Sequence, residues 1–334
     1  MNKFSDICVG VAVFNGDKTL KRTLESLKNQ SFKNLQVIIS DDCSNDKSIE
    51  IINEYLDICD NFKFFQNKKN IGMFANQKKI FSLSNSKYFA WVNQDDYKDV
   101  TFFEKCYAKL ELNPNAVLAS ANTAVVDKNT NQIMHVNTIK SLDGIKEVDI
   151  RYKRLIKNFE DTIIYSLFRS ETLKKTDLWV NINGSANKLI YELSLHGPFL
   201  NINEKLSYYY GMGLLNRPNP SQEFIRSTKQ RYPFYYIPYV VLFFYQFKDI
   251  LKNDISLFKK IKIIFYLIND FLQINFLKLV YRFFSLLFFG LFDDFIYKLI
   301  RKIVPYNEDV NQIVKKIDYP RFYPKHYPFK KIDN

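Results

Sequence analysis

Tyr88 to Asp96 reads YFAWVNQDD. Five aromatic or apolar residues, Tyr88 to Val92, end in a β-branched one, the pattern of a strand buried on both faces. Asn93, Gln94 and two adjacent carboxylates, Asp95 and Asp96, follow directly. A buried strand ending in acids places negative charge at the carboxyl edge of a sheet, where open α/β folds bind ligands. Two such carboxylates repel unless something positive lies beside them. Mg²⁺ or Mn²⁺ carrying a phosphate ester suits them, because these ions take oxygen ligands and leave room for substrate oxygens. The plainer reading is a solvated turn in which Asp95 or Asp96 caps a helix near Thr101.

The stretch before it repeats the theme. Val9 to Asn15, VGVAVFN, is a first buried strand turning at Asn-Gly, and Asp17 is placed to cap a helix whose Leu20, Leu24 and Leu27 share one face. Leu35 to Ser40, LQVIIS, is a second strand and also ends in acids, Asp41 and Asp42; Ser44 or Asn45 then caps a helix carrying Ile49, Ile52 and Tyr55. Phe62 to Phe65 is a third strand, and Asn70-Ile71-Gly72 turns into a helix from Met73 to Leu83. Strand–helix alternation at this spacing means βαβ units with right-handed crossovers, hence an α/β fold with a mostly parallel sheet flanked by helices. Both Asp-Asp pairs should then meet on one edge of that sheet. One acidic strand end is usually a helix cap; two on one edge point to a site.

Composition bounds the partners. The chain has 334 residues, 47% hydrophobic, 25% charged and 16% aromatic, with a net charge of +13. That is a globular composition. Residues 221–334 hold 19 Lys/Arg against 10 Asp/Glu, so this third carries +9 of the total. With no zinc-finger spacing or other nucleic-acid signature, the charge points to an anionic membrane surface and no nucleic-acid partner is expected. Cys8, Cys43, Cys59 and Cys106 lack metal or redox spacing and read as reduced thiols. With no basic-then-apolar leader before the first strand, the expected location is cytoplasmic, peripheral at the inner face of the membrane.

VAVFN, LKRTLESLKNQSFKNLQVIISDDCSND, NKKNIGMFANQ and YFAWVNQDD together resemble glycosyltransferase family 2, with its GT-A, Rossmann-like nucleotide-sugar-binding fold. The resemblance runs from Val9 to about Tyr210. It implies an inverting, metal-dependent sugar transfer from a nucleotide-sugar donor to a hydroxyl of a glycan or lipid-linked glycan acceptor, in the making of surface polysaccharide such as O-antigen or capsule. It also implies roles: Phe14 and Asn15 lining the nucleotide pocket, Asp41 and Asp42 holding base or ribose, Asn70, Gly72 and Asn76 bordering the diphosphate, Asp95 contacting ribose, and Asp96 ligating Mn²⁺ or Mg²⁺. Gln94 stands where an acid is common in the family.

A sharper departure lies at 184–188, Gly-Ser-Ala-Asn-Lys, where relatives place the carboxylate that deprotonates the acceptor. Asn187 occupies that place, and an amide cannot take a proton. Glu192, a turn further on, is the nearest acid and is the candidate base; its alternative is a surface pair with Lys188. Asp161 and Asp177 are the other candidates, and loss of activity in a nucleotide-binding scaffold protein is the competing reading. His135 reads as a surface strand residue and His196 as a helix C-terminal residue.

The organisation expected is a catalytic domain over 1–215, a helical, aromatic-rich basic region over 216–304, and an extended Pro/aromatic tail over 305–334. Gly/Pro/Asn-rich 211–222 is the joint, and its Arg217 is placed either to meet a diphosphate or simply to link. Lys259, Lys260, Lys262, Lys278, Arg282, Lys298, Arg301 and Lys302 recur among apolar residues at near-helical spacing. That fits helices lying in a membrane interface, or a packed subdomain or homodimer face.

Overall fold

The computed structural model describes residues 5–127, 129–211 and 238–287. The joint beyond residue 211 with Arg217, the cations Lys298, Arg301 and Lys302 and the tail 305–334 lie outside these, as do the side chains of Lys278 and Arg282.

Strand β1 (Ile7–Val13) is the axis of the sheet. It pairs in parallel with β2 (Leu35–Asp41) on one side and β4 (Tyr88–Asn93) on the other, and β2 pairs in parallel with β3 (Phe62–Gln66). Successive side chains of a strand point to opposite faces. Ile7, Val9, Val11 and Val13 accordingly enter one core with α1 (Leu20–Lys28), α2 (Ser48–Leu56) and α4 (Phe102–Glu111), while Cys8 enters a second core with α3 (Met73–Ser82). Gly10 lets α3 approach: a Cβ there would lie 2.4 Å from Ile80 Cγ2 and 2.8 Å from Phe89 Cζ. The helix face expected from Leu20, Leu24 and Leu27 is buried in full.

Beyond β4 the direction alternates. Strand β5 (Tyr97–Lys98) pairs antiparallel with β9 (Phe199–Gly211); β6 (Leu118–Asp127) runs parallel to β9 and antiparallel to both β7 (Ile133–Asn137) and β8 (Leu167–Arg169); β8 runs antiparallel to β4. The order across the sheet is β3-β2-β1-β4-β8-β6-β9-β5, with β7 on β6. The expected α/β fold is thus found, parallel from β3 to β4 and mixed thereafter. Between these strands lie α5 (Val148–Lys157), a 3₁₀ turn at Asp161–Tyr165, α6 (Ser170–Leu173) and α7 (Ser185–Ser194). His135 is exposed on β7, as its setting suggested.

Two further helices, α8 (Pro238–Lys252) and α9 (Leu257–Leu287), stand where helices were expected in the C-terminal region. Ile250, Ile263 and Leu267 close a third core with Val148 and Tyr152 of α5 and Leu195 after α7. Among the described residues no helix is long and apolar enough to cross a membrane.

Candidate active site

The acidic strand tips meet. In register, Val13 of β1 faces Asp41, and Ala12 faces Asn93, so Asp41-Asp42 and Asp95-Asp96 leave the same edge of the sheet on either side of Phe14-Asn15. Neither acidic pair caps the helix that follows it, and the N–H groups at those helix starts meet other carboxylates. Asp46 accepts the Ser48 N–H at the start of α2 (3.0 Å), and Asp99 accepts the Thr101 N–H before α4 (3.1 Å). Asp17, Ser44 and Asn45 do not cap as expected; the Gly16 carbonyl takes the N–H groups of Thr19 and Leu20 at the head of α1.

Each loop at this edge is tied to its neighbour. The Ser44 N–H (3.0 Å) and hydroxyl both donate to Asp41, which closes its own turn. Asp42, 3% exposed, accepts from Asn67 Nδ2 (2.9 Å), the Ile71 N–H (2.8 Å) and the Gly72 N–H (2.9 Å), so it moulds the 67–72 loop. Gly72 has φ +89°, and its N–H also reaches Asn70 Oδ1 at 3.0 Å. The Asn15 N–H donates to Ser44 Oγ (2.9 Å), and Asn15 Oδ1 accepts from the Asn45 N–H (2.9 Å). Gln94, the departure from the acidic motif, clips its amide onto Phe14: it accepts from the Phe14 N–H (2.8 Å) and donates to the Phe14 carbonyl (3.2 Å). Asn76 stands apart. It is 1% exposed and pins α3 to Ser40 through the Ser40 hydroxyl (2.7 Å) and carbonyl (2.8 Å), so it supports the edge from behind.

Asp96 is 2% exposed. Its Oδ1 accepts the Tyr210 N–H (3.2 Å), its carbonyl accepts the Thr23 hydroxyl (2.8 Å), and its Oδ2 has no hydrogen-bond partner. Burial, then the charge of Asp95, pushes its carboxyl well above the usual range, against the pull of Lys98 and Arg22. Lys98 lies buried with Nζ on the Tyr165 carbonyl (2.9 Å) and Ser207 Oγ (2.7 Å); burial lowers it to about 8, with Asp96 opposing. Arg22 donates to the Asp95 carbonyl (2.5 Å) and lies 3.4 Å over the Tyr210 ring. Part of the cationic compensation expected from a metal is therefore supplied by Lys98 and Arg22. A buried carboxylate oxygen without a partner is costly, and Oδ2 of Asp96, buried without a hydrogen-bond partner, fits a divalent cation.

Beside this edge lies a cavity of about 300 Å³. Its wall includes Phe74, Gln77, Trp91, Asn93, Asp161, Trp179 and Asn187. Gln77 Oε1 and Trp179 Nε1 are buried without hydrogen-bond partners, so this wall offers one free acceptor and one free donor. Such a lining, aromatic faces with scattered amides, suits a sugar ring.

Glu192, the expected catalytic base, does not line the cavity. It is 1% exposed and pairs with Lys188 Nζ at 2.6 Å, so the expected Lys188 pair is made, buried rather than on the surface. Asp177 (3.1 Å) and Asp249 of α8 (3.3 Å) share the same ammonium. Asp177, Glu192 and Asp249 are the one acidic trio among the described residues spaced to hold a metal, but the Lys188 ammonium already sits among them. Sequence reasoning also missed Arg22, Thr23 and Lys98. Lys98 carried a signal, a cation two residues beyond Asp96 in a stretch otherwise heading into a core; Arg22 and Thr23 carried none, being ordinary helix residues in sequence.

The profile of Glycosyl transferase family 2 matches residues 8–176, just over half of the chain. The chain belongs to glycosyl transferase family 2. An uncharacterized glycosyltransferase of Haemophilus influenzae is 30% identical over 168 residues, 50% of this chain and 64% of that protein. The poly(ribitol-phosphate) β-N-acetylglucosaminyltransferase TarS of Staphylococcus aureus is 26% identical over 182 residues, 54% of this chain and 30% of that one. The chain thus spans less than two thirds of these relatives' own length. The crystal structure of TarS residues 1–349 superposes with a TM-score of 0.62 at 17% identity, over 80% of this chain and 72% of that chain; TarS has also been solved with UDP and with UDP-GlcNAc. A mannosyltransferase of Pyrobaculum calidifontis, solved with GDP-Man and Mn²⁺, superposes with a TM-score of 0.50 at 9% identity, over 81% of this chain and 70% of that one. These likenesses establish the GT-A fold.

Proposed function

We propose that this protein transfers a sugar from a nucleotide-sugar donor to a hydroxyl of a glycan acceptor, with inversion, in the synthesis of surface polysaccharide. The observation that carries the reading is the convergence of Asp41-Asp42 and Asp95-Asp96 on one sheet edge, with Asp96 Oδ2 buried and unpaired and with Asn93, at the end of the same strand, lining a cavity of about 300 Å³. The loops carrying Phe14, Asn15, Asp42, Asn70 and Gly72 form the nucleoside and diphosphate side; Asp95 meets the ribose; Asp96 holds Mn²⁺ or Mg²⁺. An ion there would neutralise charge on a departing diphosphate. The ligands bound to TarS and to the mannosyltransferase support a nucleotide-sugar donor.

The test is a thermal-shift series with UDP, dTDP and GDP, each with and without Mn²⁺, followed by nucleoside diphosphate release from the matching sugar nucleotides with membrane extract as acceptor. Metal-dependent stabilisation by one nucleotide is expected, with turnover that Asp96→Ala abolishes. Asn187 favours a second reading, a nucleotide-binding scaffold protein without turnover; binding with no product from any acceptor would establish it.

A membrane-side, lipid-linked acceptor is supported by α9. Leu257, Phe258, Ile261, Phe265, Ile268 and Leu272 are exposed on one face at three- and four-residue steps, in the basic third of the chain. Flotation with anionic but not zwitterionic vesicles is expected. A dimer in solution that ignores vesicles would assign this face to a second copy instead.

A further inference from the structure

We infer that Asp161 is the general base that accepts the proton of the acceptor hydroxyl. This rests on the transferase reading above. The family place for that carboxylate holds Asn187, which lines the cavity together with Asp161. Among the described residues, Asp161 is the one carboxylate in the cavity wall; the other described side chains there with polar groups, among them Gln77, Asn93, Thr162, Asn183 and Asn187, are amides, hydroxyls or an indole without useful basicity at neutral pH. Glu192 and Asp177, the other candidate bases, are both committed to the Lys188 ammonium.

The turn that carries Asp161 is fastened to the acidic edge at its other end. The Tyr165 hydroxyl accepts Asn93 Nδ2 at 2.6 Å, and its carbonyl accepts Lys98 Nζ at 2.9 Å; Asn137 Nδ2 donates to Thr162 Oγ1 at 3.3 Å. Asn93 ends β4, three residues before Asp96. A base must stand within reach of the hydroxyl it serves while the leaving group stays at the metal side, and this turn carries Asp161 at one end while Tyr165 at the other is bonded to Asn93 and Lys98. Asp161 is itself exposed, so its carboxylate is open to an incoming hydroxyl. The unpaired Gln77 Oε1 and Trp179 Nε1 in the same wall offer partners to the other hydroxyls of that ring.

In the step, the acceptor O–H bond breaks and its proton passes to the Asp161 carboxylate. The oxygen's electron pair forms the bond to the anomeric carbon. The bond from that carbon to the diphosphate oxygen breaks, and the nucleoside diphosphate leaves with the pair.

The experiment measures nucleoside diphosphate release from UDP-GlcNAc and GDP-mannose with Mn²⁺, water or membrane extract serving as acceptor. Asp161→Asn is expected to lower kcat by about 10²- to 10⁴-fold, with the donor KM and the nucleotide-induced thermal shift unchanged. Adding Asn187→Asp to that variant returns a carboxylate to the same cavity and should recover at least about tenfold of the loss. Asp161→Asn within about threefold of wild-type kcat, or losing donor binding along with turnover, overturns the assignment while leaving the transferase reading intact. A double variant no more active than Asp161→Asn overturns the assignment of this cavity to the acceptor hydroxyl. Wild-type protein inactive with every donor overturns the underlying reading, and this base with it.

Discussion

Asp42 shows how a single side chain can be both fastener and candidate contact. Three donors converge on its carboxylate, two of them backbone N–H groups of the 67–72 loop. Charge-assisted bonds of this kind are stronger than neutral ones. Asp42→Asn keeps the volume and one acceptor but turns the other into a donor facing an N–H. A loss of about 1–3 kcal/mol in stability is expected, seen as a lower Tm, with weaker nucleotide binding in the thermal-shift series. Gln94 is testable in the same way. A Cβ on Gly16 would lie 2.6 Å from Gln94 Oε1, so Gly16→Ala and Gln94→Ala should both loosen the clip on Phe14 and weaken nucleotide binding, with turnover at saturating donor much less affected. The paired acids were legible in sequence because two buried strands of one sheet both end in charge, and helix capping accounts for one such end more readily than for two. The role of Gln94 was not, since an amide's partner across 80 residues leaves no local trace.

At the level of elements, the strand–helix alternation up to β4 was readable because each unit is local: a short apolar run, a turn, an amphipathic face. Strand β5 escaped notice, since two residues form no period and its pairing partner, Tyr208 and Ser207, lies far along the chain. The surroundings of Glu192 were illegible for a related reason. Helical periodicity tells which residues share a face but not what covers it, and here α8 covers it with Asp249. Asp249 is 1% exposed, and burial, then Glu192, raises it to about 7. In the unfolded chain its carboxyl titrates near the ordinary value of 3.8. Between about pH 4 and 7 the folded protein therefore binds more protons than the unfolded one, so this group's contribution to stability falls as pH rises through that window and levels off above it. Asp249→Asn should remove that fall and raise Tm at pH 8 by a few degrees, leaving Lys188 paired with Glu192 and Asp177. Scans at pH 5 and pH 8 check it. Gly10→Ala tests the packing of α3 on β1: with Ile80 and Phe89 in the way, a loss of about 1–3 kcal/mol is expected from overpacking.

For the whole molecule, the family profile ends at residue 176, yet the interior does not. Val148, Tyr152 and Leu195 need Ile250, Ile263 and Leu267 to keep them dry, and Asp249 of α8 completes the charged cluster around the Lys188 ammonium. A chain shortened to the expected catalytic unit, 1–215, would bare an oily patch together with a group of charges short of one member. It should aggregate on expression, while the full chain stays dispersed. The segment that evolution shares among relatives and the segment that physics requires to stand alone have different borders here, and anyone cutting this gene at the alignment's edge would be discarding a wall of the house along with its annex.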